Sequence, residues 1–228
     1  MKRIPFRLKV PVGTPILLTS GFLTLDGLLA MAVEAKTGSD CSQQDIPLQF
    51  TNGVAHGSAA FFRQSSFGSQ DMFRRIKPSD MMDIPDQVKS GAKNLAPLID
   101  QDKGTYKSFQ TTFMRAETDT VFWFGLGDPD GVLALLNFVQ GIGRKASLGN
   151  GEIQHSNISI DEIEQDCSFS LFGRPARPLP VEMWMGGPAQ HQLAAIKHPY
   201  WISKQVECVV PTRRFFRLED MALQRLAA

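Results

Sequence analysis

Residues 3–12 alternate strictly between apolar and polar or proline positions, and this pattern constrains the fold more than any other stretch of the chain. A period of two predicts a β-strand with one buried face. The apolar face needs a packed layer, so we expect helices on that side of a sheet. The other face, which carries Arg3 and Arg7, then either lies along a polyanion or is simply solvated.

The segments that follow predict an α+β protein. Periodicity, helix-start residues and glycines indicate where each element begins and ends. In chain order these are a helix from Thr24 or Asp26 to Gly38, short strands between 49 and 63, strands at 108–115 and 120–126, a helix beginning at Asp128-Pro129, and a strand at 152–160. Strand, helix, strands, helix, loop and strand is the split βαβ pattern of the ferredoxin-like (RRM-like) fold.

Two regions depart from this core pattern. Residues 63–107 scatter cations among Ser, Gly, Pro and Met, and they are long for a connection, which favours a functional excursion from the core over a plain surface loop. Residues 161–228 contain strand-like runs at 181–185 and 206–210, a proline-extended stretch at 174–180 and a short helix at 218–226. We therefore expect a core over 1–160 with an insertion at about 63–107, and a C-terminal extension over 161–228 that packs on the core.

The loop between the second helix and the last core strand is rich in glycine and carries two adjacent cations. A Rossmann fingerprint is excluded because Ala146 stands where its third glycine belongs, and a Walker A loop is excluded because Lys145 follows Arg144 and precedes alanine. Glycines let a backbone approach phosphates closely, and the cations supply charge. The loop predicts an RNA contact; a turn with solvated cations is the alternative. The loop residues concerned are Gly141, Gly143, Arg144, Lys145, Gly149 and Gly151.

Composition narrows the class of protein. The net charge of +1 disfavours a free-standing, non-specific nucleic-acid binder and suits a subunit that meets nucleic acid on one face. The three cysteines lack disulfide or zinc spacing and are expected to pack as small apolar side chains. We predict no metal and no cofactor. The N-terminus lacks a secretory signal and no long apolar run is present, so a cytoplasmic protein without a membrane contact is expected.

Four segments carry a resemblance to a known family. They are 25–30 (Leu-Asp-Gly-Leu-Leu-Ala), Tyr106-Lys107, the loop 141–151, and 174–178 (Arg-Pro-Ala-Arg-Pro). With this order of elements, the chain resembles the RAMP superfamily of CRISPR-associated RNA-binding proteins, and within it the Cas-five-type subunit of type IV CRISPR effector complexes. The implied fold is α+β: a ferredoxin-like RAMP core with a glycine-rich loop, a thumb-like insertion and a C-terminal β-rich extension.

The resemblance also implies a function without catalysis. Such a subunit holds the 5′ repeat-derived handle of a CRISPR RNA and caps a filament of backbone subunits, while the guide reads sequence by base pairing. The implied partners are CRISPR RNA, backbone (Cas-seven-type) subunits and a large (Cas-eight-like) subunit, with target DNA and a helicase as further candidates. Besides the loop, the candidate RNA contacts are Arg3, Arg7, Arg74, Arg75, Lys107, Arg115, Arg174 and Arg177. Candidate stacking residues are Phe61, Phe62, Tyr106, Tyr200 and Trp201, most of which we expect in the core.

A metal-free endoribonuclease that processes precursor CRISPR RNA is the competing hypothesis. That chemistry needs a base near the 2′-OH and a cation near the phosphate. The chain offers His56, His155, Tyr106, Lys107 and Lys145 for these roles, but in no compact sequence motif. A scaffold that binds only protein is the third possibility.

Overall fold

The computed structural model describes residues 3–18, 22–63, 66–74, 108–211 and 216–217, and only the backbone of 74, 216 and 217. The statements below concern those residues. The predicted helix at 218–226, together with Arg75, Tyr106 and Lys107, lies outside them.

The described chain contains short and long strands and two helices, mixed as expected for an α+β protein. In chain order the elements are β1 (Ile4–Pro11), β2 (Ile16–Leu18), α1 (Leu25–Thr37), β3 (Phe50–Thr51), β4 (Val54–Ala55), β5 (Phe61–Phe62), β6 (Ser66–Arg74), β7 (Phe109–Glu117), β8 (Thr120–Gly127), α2 (Pro129–Leu136), β9 (Ser159–Glu162), β10 (Ser170–Leu171), β11 (Arg174–Pro175), β12 (Leu179–Pro180), β13 (Gln190–Ala194), β14 (Val206–Val210) and β15 (Phe216–Arg217).

The principal sheet has the strand order β15-β5-β8-β1-β9. The first strand, β1, pairs antiparallel with β8 on one side, from Ile4 opposite Gly127 to Pro11 opposite Thr120, and antiparallel with β9 on the other. Strand β5 pairs antiparallel with β8, and β15 runs parallel to β5. A three-stranded sheet of order β12-β14-β13 lies in the C-terminal part of the chain.

One face of the principal sheet carries the main core. Phe6, Leu8 and Val10 of β1 and Trp123 of β8 are fully buried in one cluster with residues of α1 and α2. The prediction of a half-buried first strand is therefore confirmed. The first helix also begins and ends as predicted, after Thr24 and at Gly38, which adopts a left-handed conformation with φ of 69°.

The opposite face of the sheet, expected to be open, is partly covered by the chain itself. Phe61, Phe122 and Phe124 of β5 and β8 pack with three buried residues from the segment 167–176. The Arg7 guanidinium lies 2.8 Å from the Asp161 carboxylate and 6.0 Å from the centre of the Phe122 ring. Arg7 thus has an intramolecular partner on this face.

A buried ion pair connects the start of α1 to the C-terminal part of the chain. Arg177 is 0% exposed, and its guanidinium lies 3.3 Å from the Asp26 carboxylate, which is also buried. The same guanidinium donates to the backbone carbonyls of Ala55 and Gly57 at 2.6 and 2.9 Å. Burial opposes the charge, but Asp26 and Tyr200 outweigh it, so the pKa of Arg177 is raised and its charge is retained.

This burial corrects one sequence prediction and adds a second role to the residue of another. Arg177 was expected on the RNA surface, but it lies inside the protein because its guanidinium satisfies Asp26 and several carbonyl groups. Asp26 was explained as a helix-start residue; it does lie in the first turn of α1, but its carboxylate accepts hydrogen bonds from Arg177 and the Tyr200 hydroxyl. The two segments 25–30 and 174–178 therefore meet in space.

The residues from Gly68 to Met114 form a compact unit separate from the rest of the chain. Its described part contains most of β6 and β7, neighbouring strands of one sheet. Within it, the Thr112 hydroxyl donates to Asp71 at 2.6 Å.

Several predicted element boundaries were wrong. The strand expected at 152–160 is confined to β9, because a 3-10 turn from His155 to Asn157 interrupts it. Residues 181–183 form a 3-10 turn in place of the predicted strand. For the helix predicted to begin at Asp128-Pro129, the structure adds the end: α2 stops at Leu136, and Phe138 is 44% exposed with its ring centre 5.7 Å from the Lys36 ammonium.

Two predictions for the C-terminal part of the chain hold, for the strand at 206–210 and for the buried thiols of Cys167 and Cys208. The strand at 206–210 is confirmed as β14, and Cys167 and Cys208 are buried thiols, with burial raising the pKa of Cys208 to about 11. Neither helix of the described chain is long and apolar enough to cross a membrane.

Replacing Arg177 with alanine should strongly destabilise the fold, because Asp26 would remain buried without its partner. Breaking a buried pair in this way typically costs about 3–5 kcal/mol. Arg174→Ala is the matched control, since Arg174 is exposed three residues earlier and its loss should change the free energy of unfolding by less than about 0.5 kcal/mol. Urea unfolding of both variants measures the difference. Equal stabilities would show that the ion pair does not hold these segments together.

Candidate nucleic-acid interface

The glycine-rich loop is fixed by hydrogen bonds to β2 and to the segment between β1 and β2. The Arg144 amide donates to the Leu17 carbonyl at 2.7 Å, and the Gly151 amide donates to the Pro15 carbonyl at 2.9 Å. The Thr14 hydroxyl donates to the Gly149 carbonyl at 2.7 Å and accepts from the Glu152 amide at 2.9 Å. These bonds hold the loop at both ends, so the side chains that it exposes have a defined position.

Two of the loop glycines are required by packing within the protein. Gly143 has φ of 88°, and a Cβ atom there would lie 2.5 Å from the Leu17 carbonyl oxygen. Gly151 has φ of 64°, and its Cβ would lie 2.1 Å from the Ile142 carbonyl oxygen. Both distances are shorter than any real contact, so close approach to RNA is not needed to explain these glycines. Gly149, with φ of 83°, faces open space.

The loop places its two cations on the surface. Arg144 and Lys145 are both exposed, and neither forms an ion pair with any residue of the described chain. Lys145 itself has φ of 59°, an uncommon conformation for a side chain of this size. This local geometry projects adjacent positive charges away from the loop.

Arg144 lies between two cavities of about 410 and 550 Å³. Apolar side chains of α1, among them Leu28 and Met31, line the first. Two glutamines, Gln192 and Gln205, line the second. Both cavities share Phe22, Thr24, Arg144, Tyr200 and Trp201, and no acidic residue lines either one within the described chain. The described lining of the two cavities therefore combines positive charge from Arg144 and Lys145 with aromatic and amide side chains.

The structure separates the predicted stacking residues. Phe61 and Phe62 are fully buried in the core. Tyr200 has its hydroxyl bonded to Thr24, Asp26 and Arg177. Trp201, by contrast, is 74% exposed beside the loop. Phe22, Gln192 and Gln205 were not predicted; each lies far from the loop in sequence, and only the fold brings them to it.

The other predicted cations have varied surroundings. Arg3 and Arg174 are exposed, and Arg115 pairs with Glu117 at 3.0 Å. Only the backbone of Arg74 is described. The structure thus brings Arg144 and Lys145 to the cavities but not Arg7, Arg115 or Arg177, which have partners elsewhere.

His56, a candidate base for RNA cleavage, has both ring nitrogens in hydrogen bonds. One lies 2.8 Å from the Thr51 hydroxyl and the other 2.8 Å from the Asp166 carboxylate, and Phe169 stacks on the ring at 4.1 Å. Burial raises the pKa of Asp166, but hydrogen bonds from His56 and Ser168 outweigh it and leave the pKa lowered. His56 is only 8% exposed. Its hydrogen bonds connect the β3–β4 hairpin to the segment before β10.

Adding a methyl group at Gly151 should destabilise the protein more than adding one at Gly149. Both residues have positive φ, which costs alanine roughly 1–2 kcal/mol, but only Gly151 would also push its Cβ into a backbone oxygen. The free energies of unfolding of Gly151→Ala and Gly149→Ala in urea test this. If the two variants were equally stable, the loop would not be packed as described.

Comparison with known proteins identifies the family of the chain. The sequence model of the family "CRISPR type IV associated protein Csf3" matches residues 54–211, which is more than half of the chain. The match includes β8, α2, the glycine-rich loop and the segment that carries Arg177. No curated protein matches the chain. The chain belongs to the Csf3 family of type IV CRISPR-associated proteins, a Cas5-like family.

Proposed function

We propose that this protein is a non-catalytic RNA-binding subunit that holds the 5′ repeat-derived handle of a CRISPR RNA and caps the backbone filament of a type IV effector complex. The family supplies the context of a type IV CRISPR-associated subunit. The finer role rests on the geometry of the glycine-rich loop and on the arrangement of the principal sheet.

The sheet supports a ferredoxin-like RAMP core. Taking β1, α1, β5, β8, α2 and β9 as the six elements gives strand, helix, two strands, helix and strand. Their order in the sheet, β5-β8-β1-β9, places the first strand between the third and fourth, with antiparallel pairs throughout. That arrangement is the split βαβ pattern. The glycine-rich loop then lies between the last helix and the last strand of the core.

One observation carries the proposal: two exposed cations, Arg144 and Lys145, project from a hydrogen-bonded loop beside cavities without acidic residues in their described lining. Exposed cations that have an acidic partner are already neutralised, whereas these two retain their full attraction for an anion. An RNA backbone offers closely spaced phosphates, and guanidinium and ammonium groups both bind them.

Binding without chemistry is the simplest role for this site. A general base must present a free lone pair within reach of the 2′-OH. Both His56 nitrogens are engaged, and breaking those bonds would also remove one of the hydrogen bonds that Asp166 accepts. The family membership motivates the proposed partners, which are the CRISPR RNA and the neighbouring backbone (Cas-seven-type) and large (Cas-eight-like) subunits.

Removing both loop cations should weaken binding of single-stranded handle RNA and make it less sensitive to salt. Each lost phosphate contact on a single strand reduces the slope of log affinity against log salt by about 0.7, so Arg144→Ala/Lys145→Ala should reduce it by about 1.4. Filter binding at several salt concentrations measures both quantities.

The matched control removes the same charge elsewhere. Arg63 and Lys197 are exposed and do not line either cavity, so Arg63→Ala/Lys197→Ala should retain the wild-type slope. Equal slopes for wild type and the loop variant would contradict phosphate contact by Arg144 and Lys145.

Incubating the protein with precursor CRISPR RNA and a chelator tests the absence of catalysis. We expect no site-specific product on a denaturing gel. Cleavage that disappears in His56→Ala or His155→Ala, while RNA binding persists, would establish the nuclease instead.

A further inference from the structure

We propose that the two cavities beside Arg144 form one cleft that takes a single unstacked nucleotide of the RNA, with its base on Trp201 and its phosphate at Arg144. This inference rests on the proposed RNA-binding function and assigns the cleft to it. The cavities share Phe22, Thr24, Arg144, Tyr200 and Trp201, so they adjoin along a common wall. Volumes of about 410 and 550 Å³ are those of small-molecule clefts.

Charge selects an anionic occupant. Arg144 lines both cavities and Lys145 lines the first, while no aspartate or glutamate is among the described lining residues of either. Among the described lining residues, the remaining basic side chain is His198, whose Nε2 atom lies 2.9 Å from the Glu34 carboxylate. The charge at the mouth of the cleft is thus left for a ligand.

Trp201 provides an aromatic platform with a fixed position. The indole is 74% exposed, yet its ring makes an edge contact with His198 at 5.3 Å and 90°. The preceding residue, Tyr200, is held by Asp26 and Arg177. An exposed tryptophan on such a supported segment matches the surface on which single-stranded bases stack.

The combination distinguishes a nucleotide from an acidic peptide. A peptide made only of acidic residues would use the cations but carries no apolar or aromatic group to contact the part of the cleft lined by Leu28 and Met31. A nucleotide carries both a flat aromatic base and a phosphate, and Gln192 and Gln205 add donors and acceptors that can meet a base edge. The cleft thus offers cationic, apolar or aromatic, and amide side chains together.

The test is a comparison of Trp201→Ala, Trp201→Phe and Ile202→Ala in binding handle RNA. Loss of one stacked base should lower the affinity by about 5- to 150-fold in Trp201→Ala, whereas Trp201→Phe should retain most of it. Ile202 is as exposed as Trp201 but lines neither cavity, so Ile202→Ala should bind as the wild type does. Unchanged urea midpoints would establish that the variants are folded.

A set of RNAs, each with one abasic position, then locates the base. We expect one abasic position to lower wild-type affinity as much as Trp201→Ala does, and to cause no further loss in Trp201→Ala. Competition by free mononucleotides is a second measurement. They should displace handle RNA only weakly, because they lack the neighbouring phosphates.

The failures of the two proposals are distinguishable. If Arg144→Ala/Lys145→Ala weakens RNA binding but Trp201→Ala does not, the RNA-binding function stands and the cleft is not its base site. If Trp201→Ala instead impairs only co-purification with neighbouring subunits, the cleft takes a protein side chain and the inference is wrong. If neither variant changes RNA binding, both proposals are wrong.

Discussion

The buried guanidinium of Arg177 is the interaction on which the arrangement of the site depends. It reaches the Asp26 carboxylate at the start of α1, the carbonyls of Ala55 and Gly57 after β3, and the Ile196 carbonyl and Tyr200 hydroxyl near the C-terminal end of the described chain. Segments far apart in sequence thereby share one charged centre. Since a buried charge without partners is costly, each partner is constrained by the others.

This centre connects the core to the candidate binding surface. Tyr200 donates its hydroxyl hydrogen to Asp26 and accepts from Thr24 and Arg177, which fixes the segment that presents Trp201. On the other side of the cavities, the Arg144 and Gly151 amides donate to the carbonyls of Leu17 and Pro15, which fixes the loop that presents Arg144 and Lys145. The aromatic and cationic surfaces are therefore supported independently, by a buried polar network and by close packing of glycine backbone. A rigid surface of this kind loses little entropy when it binds.

The sequence predicted much of the core but little of the site's construction. Alternation in β1, the cap residues of α1 and the Asp128-Pro129 start of α2 are local signals, and all three gave the correct element. The burial of Arg177 was missed because its partners lie up to 151 residues away, and nothing in a Pro-rich stretch distinguishes a buried arginine from an exposed one. The interruption of the strand predicted at 152–160 was missed because its first residues do pair as a strand would. Glu152 and Ile153 form isolated β-bridges with Gly141 and Val12.

The glycines of the glycine-rich loop have a physical explanation that the sequence alone did not give. Its glycines were attributed to the approach of RNA, whereas Gly143 and Gly151 are demanded by the Leu17 and Ile142 carbonyls. The predicted cations, Arg144 and Lys145, are among the residues that the packed loop exposes. Packing is thus linked to the proposed binding, because the same bend that excludes side chains at Gly143 and Gly151 exposes those of Arg144 and Lys145.

The most direct test of the RNA-binding account is ultraviolet crosslinking of the assembled complex, followed by mass spectrometry of the peptides attached to CRISPR RNA. If the account is right, the first nucleotides of the handle crosslink to peptides that contain residues 143–145 and Trp201. Crosslinks of those nucleotides only to other subunits, or only to surfaces remote from the loop, would contradict it.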